Sequence, residues 1–505
     1  MGTEPTGSNE EREHKFEVAE TFELPRFDDL GGLRVLGDDE VELVATYYDT
    51  PDLRLTRAGA SLRYRSDDGW TVKLPASDGS KAMVRRENHF EGGDGSPPVA
   101  ATNLVIGWAR RAALRPVATL RTRRHRIELG DDHARPVAEV ADDRVRASTA
   151  AAPIETFREV EIELRPGARD ELESRILDRV RDAGPTKRSQ RSKLERALGT
   201  AADAPSDVER AVPGRSRTVR DVAHSALAAS VARLVDHDAA ARLGEDPEGV
   251  HQARVATRRL RSDLKTFRPV LDRAQTDPLR DELRWLGDRL GGVRDVDVLR
   301  AALEAQLEDL GEARSPAAAA LRARLDDRGS RARAALDIAM TSGRYRQLLE
   351  QLVDLALAPP FAGDDGTRPA KKGTPRLVRK AWRRVRREVR RTSADPDDEQ
   401  LHEVRKRAKQ ARYAAEAAVP ASGKPAKRFA RAMERVQDHL GDLHDAVVMR
   451  DWLEDAAPEH GEQRTVLLTG ELAGLCAAER MRLRRDWPAV WKRARRRKRR
   501  RWLRG

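Results

Sequence analysis

His251-Gln-Ala-Arg-Val-Ala-Thr-Arg-Arg-Leu-Arg261 and His402-Glu-Val-Arg-Lys-Arg-Ala-Lys-Gln-Ala-Arg412 carry one pattern twice. In each, a histidine is followed by cations at offsets of 3, 7 and 10: Arg254, Arg258 and Arg261, then Arg405, Lys409 and Arg412. At about 100° per residue these offsets fall within an arc of roughly 80°, a stripe on one helix face. Each copy is followed by a second match, Leu290-Gly-Gly-Val-Arg294-Asp295 and Leu440-Gly-Asp-Leu-His444-Asp445. Arg294 lies 43 residues after His251, and His444 lies 42 after His402. Two motifs recurring in the same order at matching distances mark an internal duplication, and the Ala-, Leu-, Arg- and Glu-rich sequence around them predicts helical bundles.

Like charges at helical spacing cost roughly 0.2–0.5 kcal/mol per pair, so an unpartnered cationic stripe is a local liability. A bound polyanion relieves it, and a row of arginine forks suits a row of phosphates. Asp295 and Asp445 are placed to orient some of the cations. The plain alternative is a solvated basic face, which the duplicated spacing weighs against. A metal-dependent phosphohydrolase or nuclease built on His402, His444 and Asp445 is disfavoured by Arg294, which stands where His444 does and cannot ligate a metal.

Residues before about 200 follow a period of two instead. Val41-Glu-Leu-Val-Ala-Thr-Tyr-Tyr48, Ser61-Leu-Arg-Tyr-Arg65, Trp70-Thr-Val-Lys-Leu74 and Glu159-Val-Glu-Ile-Glu-Leu164 alternate, with turns expected at Asp67-Asp-Gly69 and Asp78-Gly79. The polar positions are nearly all charged. That pattern suits either a sheet with one wet face, laced by cross-strand ion pairs, or a barrel with a charged interior. Glu11, Glu13 and Lys15 share one parity, as do Glu159, Glu161 and Glu163, and Arg63 and Arg65, with Lys73 on the next strand. Burying such charges singly is prohibitive. In a shared wet tunnel carboxylates hold a hard divalent ion while Arg and Lys hold phosphoryl oxygens.

The chain has 505 residues, more than one core accommodates, so two or three domains are expected. A net charge of +13 favours polyanionic partners: nucleic acid, polyphosphate or an anionic membrane surface. Aromatic residues are only 4%, too few for the stacking platforms of single-strand and RNA binders, which disfavours nucleic acid. Cys476 is the single cysteine, which excludes an intramolecular disulfide and fits a reducing, cytoplasmic compartment. No run of about 18 apolar residues occurs and the first ten residues lack a secretory pattern, so no membrane span is expected. Linkers are read at 201–216 and 359–375, dividing a β-rich segment at 9–200 from helical segments at 217–358 and 376–500. The closing run Lys492-Arg-Ala-Arg-Arg-Arg-Lys-Arg-Arg-Arg501 is expected to be a frayed, solvated extension.

The helical segments resemble CHAD domains, a family of polyphosphate-binding helical modules. The resemblance implies one domain over about 217–500, built of two related four-helix halves. Polyphosphate would meet His251, Arg254, Arg258, Arg261, Arg294, His402, Arg405, Lys409, Arg412 and His444. The N-terminal order resembles the CYTH superfamily of triphosphate tunnel metalloenzymes. Its elements here are Glu11-x-Glu13-x-Lys15, Tyr47-Tyr-Asp-Thr50, Gly59-Ala-Ser-Leu-Arg63-Tyr-Arg65, Val72-Lys73-Leu-Pro75, Glu159-Val-Glu161-Ile-Glu163 and Ser192-Lys193. That family forms an antiparallel tunnel barrel, so the fold expected is α+β multidomain, a β tunnel followed by an all-α domain.

By the same resemblance Glu11, Glu13, Glu161 and Glu163 would bind Mg²⁺ or Mn²⁺ and act in catalysis with Lys15. Lys15, Arg63, Arg65, Lys73, Arg124 and Lys193 would hold a triphosphate. Arg124 is preferred over Arg121, Arg123 and Arg126. One acidic residue of Glu139, Asp142 and Asp143 completes the metal set, with Asp142 the assignment made. The function implied is a cytoplasmic triphosphatase that binds polyphosphate, with polyphosphate granules a candidate address. A nucleotide cyclase and a non-catalytic polyphosphate-binding factor are the alternatives, the second disfavoured because a pure anion clamp gains nothing from four carboxylates.

Overall fold

The computed structural model describes residues 7–75, 83–149, 155–165, 168–184, 187–189, 191–208, 217–456 and 463–504. Side chains are described from residue 13 in the first range, from 86 in the second and up to 503 in the last. The Glu11 side chain and the Asp78-Gly79 turn therefore lie outside the described residues. The chain forms two compact units, Met1–Asp207 and Val208–Gly505, so the boundary falls inside the stretch read as a linker.

Among the described residues the first unit is one antiparallel sheet of nine strands: β1 (Gly7–Val18), β2 (Arg34–Asp49), β3 (Ser61–Arg65), β4 (Gly69–Leu74), β5 (Met83–Phe90), β6 (Arg115–Gly130), β7 (Pro136–Thr149), β8 (Glu155–Leu164) and β9 (Lys187–Ser189). Their order is β5-β4-β3-β2-β6-β7-β8-β1-β9, and β1 also pairs with β5 from Gly7 to Glu13, which closes β1–β8 into a barrel. Short helices α1 (Arg54–Arg57), α2 (Val99–Leu104) and α3 (Ile106–Ala109) fill connections; α4 (Asp170–Asp182) and α5 (Lys193–Leu198) follow the last long strand.

The apolar mass of this barrel lies outside its wall. Phe16, Val140, Val160 and Ile162 point outward and pack against Ile176, Leu177 and Val180 of α4. Burying each such side chain is worth about 1.5–3 kcal/mol. The opposite parity is thereby committed to the interior, which is how Glu13, Lys15, Glu159, Glu161 and Glu163 come to face one another. One end is filled by α5, whose Leu194 and Ala197 pack on Ala45, Tyr47, Leu120 and Val145. Asp49, from the Tyr47-Tyr-Asp-Thr50 run, is buried and accepts hydrogen bonds from the Leu55 and Thr56 amides, both at 2.9 Å, and from Thr56 Oγ1 at 2.7 Å. It ties β2 to α1.

The second unit is helical: α6 (Val219–Asp236), α7 (Asp238–Leu243), α8 (Pro247–Thr266), α9 (Arg273–Asp309), α10 (Pro316–Thr341), α11 (Gly343–Leu357), α12 (Ala370–Val389), α13 (Asp398–Ala417), α14 (Val419–Ala456), α15 (Gln463–Ala494) and α16 (Arg497–Arg500). The principal helices of the first half, α6, α8, α9 and α10, recur as α12, α13, α14 and α15. The halves share a core in which Leu299, Leu303, Leu321 and Leu325 pack with Trp452, Leu453, Leu468 and Leu472. Two expectations change here. First, α12 begins at Ala370, inside the stretch read as linker 359–375; the Thr374 hydroxyl donates to the Ala370 carbonyl at 2.8 Å in the turn that contains Pro375. Second, the closing run does not fray. Lys492 and Arg493 finish α15, α16 follows, and Leu503, 3% exposed, joins the core with Val378, Trp382 and Phe429.

Candidate functional site

In the first unit the interior of the barrel is a cavity of about 760 Å³. It is lined among others by Glu13, Lys15, Arg63, Arg65, Lys73, Arg124, Glu139, Glu161, Glu163 and Lys193. Register explains the gathering. Lys15 stands opposite Glu161 on β8, Glu161 opposite Ala141 on β7, and Arg124 on β6 opposite Asp143. Lys15 Nζ lies 2.9 Å from Glu13 and 2.5 Å from Glu161. Arg124 spans Asp143, at 2.8 Å through both Nε and Nη2, and Glu161 at 3.0 Å. Lys193 arrives from the start of α5, where Ser192 caps the helix in a reciprocal bond with Glu195. Its ammonium meets Glu161 at 2.5 Å, Asp143 at 2.8 Å and Glu159 at 3.2 Å.

Burial pushes the Glu161 carboxyl up, but Lys15, Lys193 and Arg124 outweigh it and hold the group well below the usual carboxylate range. Glu13 moves the other way: burial and the facing charge of Glu161 push it up against the pull of Lys15 and Lys73. Across the cavity, on β3 to β5, Arg63 reaches Asp68 at 3.2 Å, Arg65 reaches Asp67 at 2.7 Å, and Lys73 pairs with Glu87.

Side-chain direction separates the candidates on β6 and β7. Arg124 points in and Arg126 lines the mouth beside Asp39, whereas Arg121 and Arg123 are exposed on the outer face. Asp142 is a correction: it lies on the outer face of β7, in a buried pair with Arg158 at 2.6 Å, while its neighbours Asp143 and Glu139 face inward. Sequence reasoning also passed over Arg196, which holds Glu159 at 2.7 Å, and the pair Asp68 and His89 at 3.4 Å. Arg196 could have been found three residues after Lys193, on the same helix face.

The donor set suits a hard divalent ion, since Glu13, Glu139, Glu161 and Glu163 offer only carboxylate oxygen. Among the described residues no three carboxylate or imidazole groups converge on one point. The Lys15 ammonium takes the position between Glu13 and Glu161 that a cation would share.

In the second unit, α8 and α13 each start on an aspartate cap, Asp246 accepting from Glu248 N at 2.8 Å and Asp397 from Gln400 N at 2.7 Å. The motif histidine comes five residues later in both. The helices pack against each other, tied by Arg259 to Glu416 at 2.7 Å, so the two stripes meet. The Leu-Gly motifs on α9 and α14 lie beneath them: the atom nearest to a Cβ placed on Gly291 is Arg254 Nη2 at 3.5 Å, and on Gly441 it is Arg405 Nη2 at 3.5 Å. Arg254 is held by Asp295 at 2.8 Å, and the rings of His402 and His444 lie 4.3 Å apart.

Burial and the charges of Arg258, Arg405 and Arg254 bring Lys409 down to about 7. Burial and His444 bring His402 to about 4. His251 is lowered by burial and Arg294. The fourth stripe positions have other neighbours than the first three. Arg261 faces Arg280, Arg284, Asp281 and Asp288, and Arg412 is neutralised by Glu416 at 2.7 Å and Glu434 at 2.8 Å.

The profile described as CYTH domain matches residues 9–198, and that described as CHAD domain matches 225–454. An uncharacterized protein of Mycobacterium tuberculosis is 32% identical over 473 residues, spanning 88% of this chain and 88% of its own. Among solved structures, PptA from Streptomyces chartreusis is 23% identical and covers 55% of this chain and 100% of its own at a TM-score of 0.45. The CHAD domain from the plant Ricinus communis is 24% identical and covers 58% and 96% at a TM-score of 0.45.

Proposed function

The chain belongs to the family that joins a CYTH domain to a CHAD domain, and from that premise we propose that it is a metal-dependent triphosphatase whose helical unit binds polyphosphate. The observation that carries the reading is the mixture of charges on one closed interior: carboxylates of β1 and β8 interleave with Lys15, Arg124 and Lys193, and Arg63, Arg65 and Lys73 face them. Glu11, Glu13, Glu161 and Glu163 would hold Mg²⁺ or Mn²⁺. Bound there, the ion would neutralise phosphate charge and activate water for in-line attack. Lys15, Arg63, Arg65, Lys73, Arg124 and Lys193 would grip the phosphate oxygens of an inorganic or organic triphosphate. Lys15 and Lys193 would turn to the phosphates as Glu161 gives its oxygens to the metal. Asp143 and Glu159, both fully buried, would keep Arg124, Lys193 and Arg196 aimed.

In the helical unit Arg254, Arg258, Arg405 and Lys409, with His251, Arg294, His402 and His444 around them, would bind polyphosphate. The test is phosphate release from tripolyphosphate, ATP and long-chain polyphosphate with Mg²⁺ or Mn²⁺, against Glu13→Gln/Glu161→Gln. Metal-dependent release lost by 100-fold or more in the variant is expected; no release from any substrate by the wild type sinks the hydrolase reading.

A further inference from the structure

The closing basic run lies beyond residues 225–454, and its placement has no part in the reading above. Arg376, Lys380, Arg383 and Arg387 of α12 and Arg390 at its C-cap recur at offsets of 0, 4, 7, 11 and 14, and all five are exposed. That spacing is one helix face. The single carboxylate of α12, Glu388, is engaged by Arg407 at 3.3 Å. The chain returns with Arg495, Arg496, Arg497 and Lys498 exposed, α16 lying on α14 and the residues after it on α12. The return is enforced by apolar contacts: Leu503 is buried with Val378 and Trp382, the Trp502 ring lies 6.2 Å from Phe429, and Arg500 lies over Trp382 at 5.9 Å. Among the described residues none of these nine exposed cations forms an ion pair. Arg499, beside them, is lowered by burial and by the charges of Arg435 and Arg496. Two apolar anchors thus hold a cationic segment against a cationic helix, where a free tail would spread its charge into solvent.

We propose that the outward face of α12 and the docked closing run form a second polyanion-binding track, suited to a phosphate chain that carries no bases. Charge and the scarcity of exposed rings choose the occupant. The stripe offers Arg and Lys alone, cations that suit the oxygens of a phosphate chain. Trp382 is 4% exposed, and Trp491 and Trp502 are half-buried against the same core, which leaves little ring surface for the stacking that single-stranded nucleic acid uses. The site stands on these contacts; naming its occupant inorganic polyphosphate rests on the reading given for the helical unit.

The experiment titrates long-chain polyphosphate into the full chain over a range of salt concentrations, with three variants. Arg383→Gln/Arg387→Gln/Arg390→Gln/Arg495→Gln/Arg497→Gln removes the track's charge, and Trp502→Ala/Leu503→Ala keeps every charge but releases the run. Arg254→Gln/Arg258→Gln/Arg405→Gln removes the other cluster. The track variant is expected to lose at least tenfold in affinity, and its log–log salt slope is expected to fall by about 3.5, at roughly 0.7 for each of the five charges removed. The released variant is expected to weaken binding with net charge unchanged. Track and released variants that match the wild type in both affinity and slope overturn the proposal. So does duplex DNA displacing polyphosphate at equal phosphate concentration, which makes the track a nucleic-acid surface. An Arg254/Arg258/Arg405 variant that binds like the wild type overturns the earlier reading instead and leaves the track standing.

Discussion

Asp142 and Asp143 are adjacent in the chain and stand on opposite faces of β7. Their inward-outward order could not be read because the β6–β7 connection carries a register shift between Leu129 and Gly130 and a left-handed Ala134 at φ 59. A slip of one residue exchanges the faces of a whole strand. Arg124 was preferred only on the resemblance, because Arg121, Arg123, His125 and Arg126 put cations on both faces of β6 and charge alone does not choose between them. With Asp142 bound to Arg158, Asp142→Asn is expected to lower the unfolding midpoint, at about 1–3 kcal/mol, while leaving Mg²⁺ or Mn²⁺ affinity unchanged by calorimetry. A tenfold loss of metal affinity would return Asp142 to the site.

Lys409 makes a second prediction at this scale. Its amine sits at about 7, facing Arg254 and Arg258 on α8, Arg405 on its own helix and Asp445 on α14. A bound phosphate chain would restore its charge, so binding takes up a proton above pH 7 and affinity is expected to fall as pH rises from about 7 to 9. Calorimetry in two buffers of different ionisation enthalpy reads the uptake, and Lys409→Arg is expected to abolish it.

At the scale of elements, strands whose polar positions are charged announced the β tunnel, and the twice-written histidine motif announced α8, α9, α13 and α14. The closing run was not legible, because two residues after it, Trp502 and Leu503, find partners more than seventy positions back on α12 and α14. The neighbours of Arg261 and Arg412 were equally hidden, since a helical arc says nothing of what the adjoining helices bring to it. One buried group on α8 tests the packing. Asp263, beside Ser230 at 3.3 Å, is pushed up to about 8, chiefly by burial. Its folded pKa lies above its unfolded value, so its contribution is present below about pH 4 and is lost as pH rises through about 8. Asp263→Asn is expected to raise the melting temperature at pH 8 by several degrees and to change it little at pH 4, as read by thermal melts of the full chain.

For the whole molecule, the two units gather charge in different surroundings. The barrel's ion pairs are enclosed, Lys15 being 6% exposed, whereas the cations of α12 face water. Enclosed pairs are screened less by salt than exposed ones. Raising salt from about 50 to 500 mM is therefore expected to weaken polyphosphate binding by two or more orders of magnitude while changing tripolyphosphate turnover by less than tenfold, a contrast that parallel binding and phosphate-release assays read directly. Equal losses in both would mean that turnover depends on capture by the helical unit.

The barrel's apolar mass, lying between the outer wall and α4, has a consequence for how such a protein can change. The groups that hold the fold and the groups that meet a ligand sit on opposite parities of the same strands. Inward charges can therefore be exchanged as matched partners while the outward set keeps the shell folded. A lineage built this way can retune substrate preference by changing facing interior groups together, and an engineer who keeps Phe16, Val160, Ile162 and Ile176 can do the same.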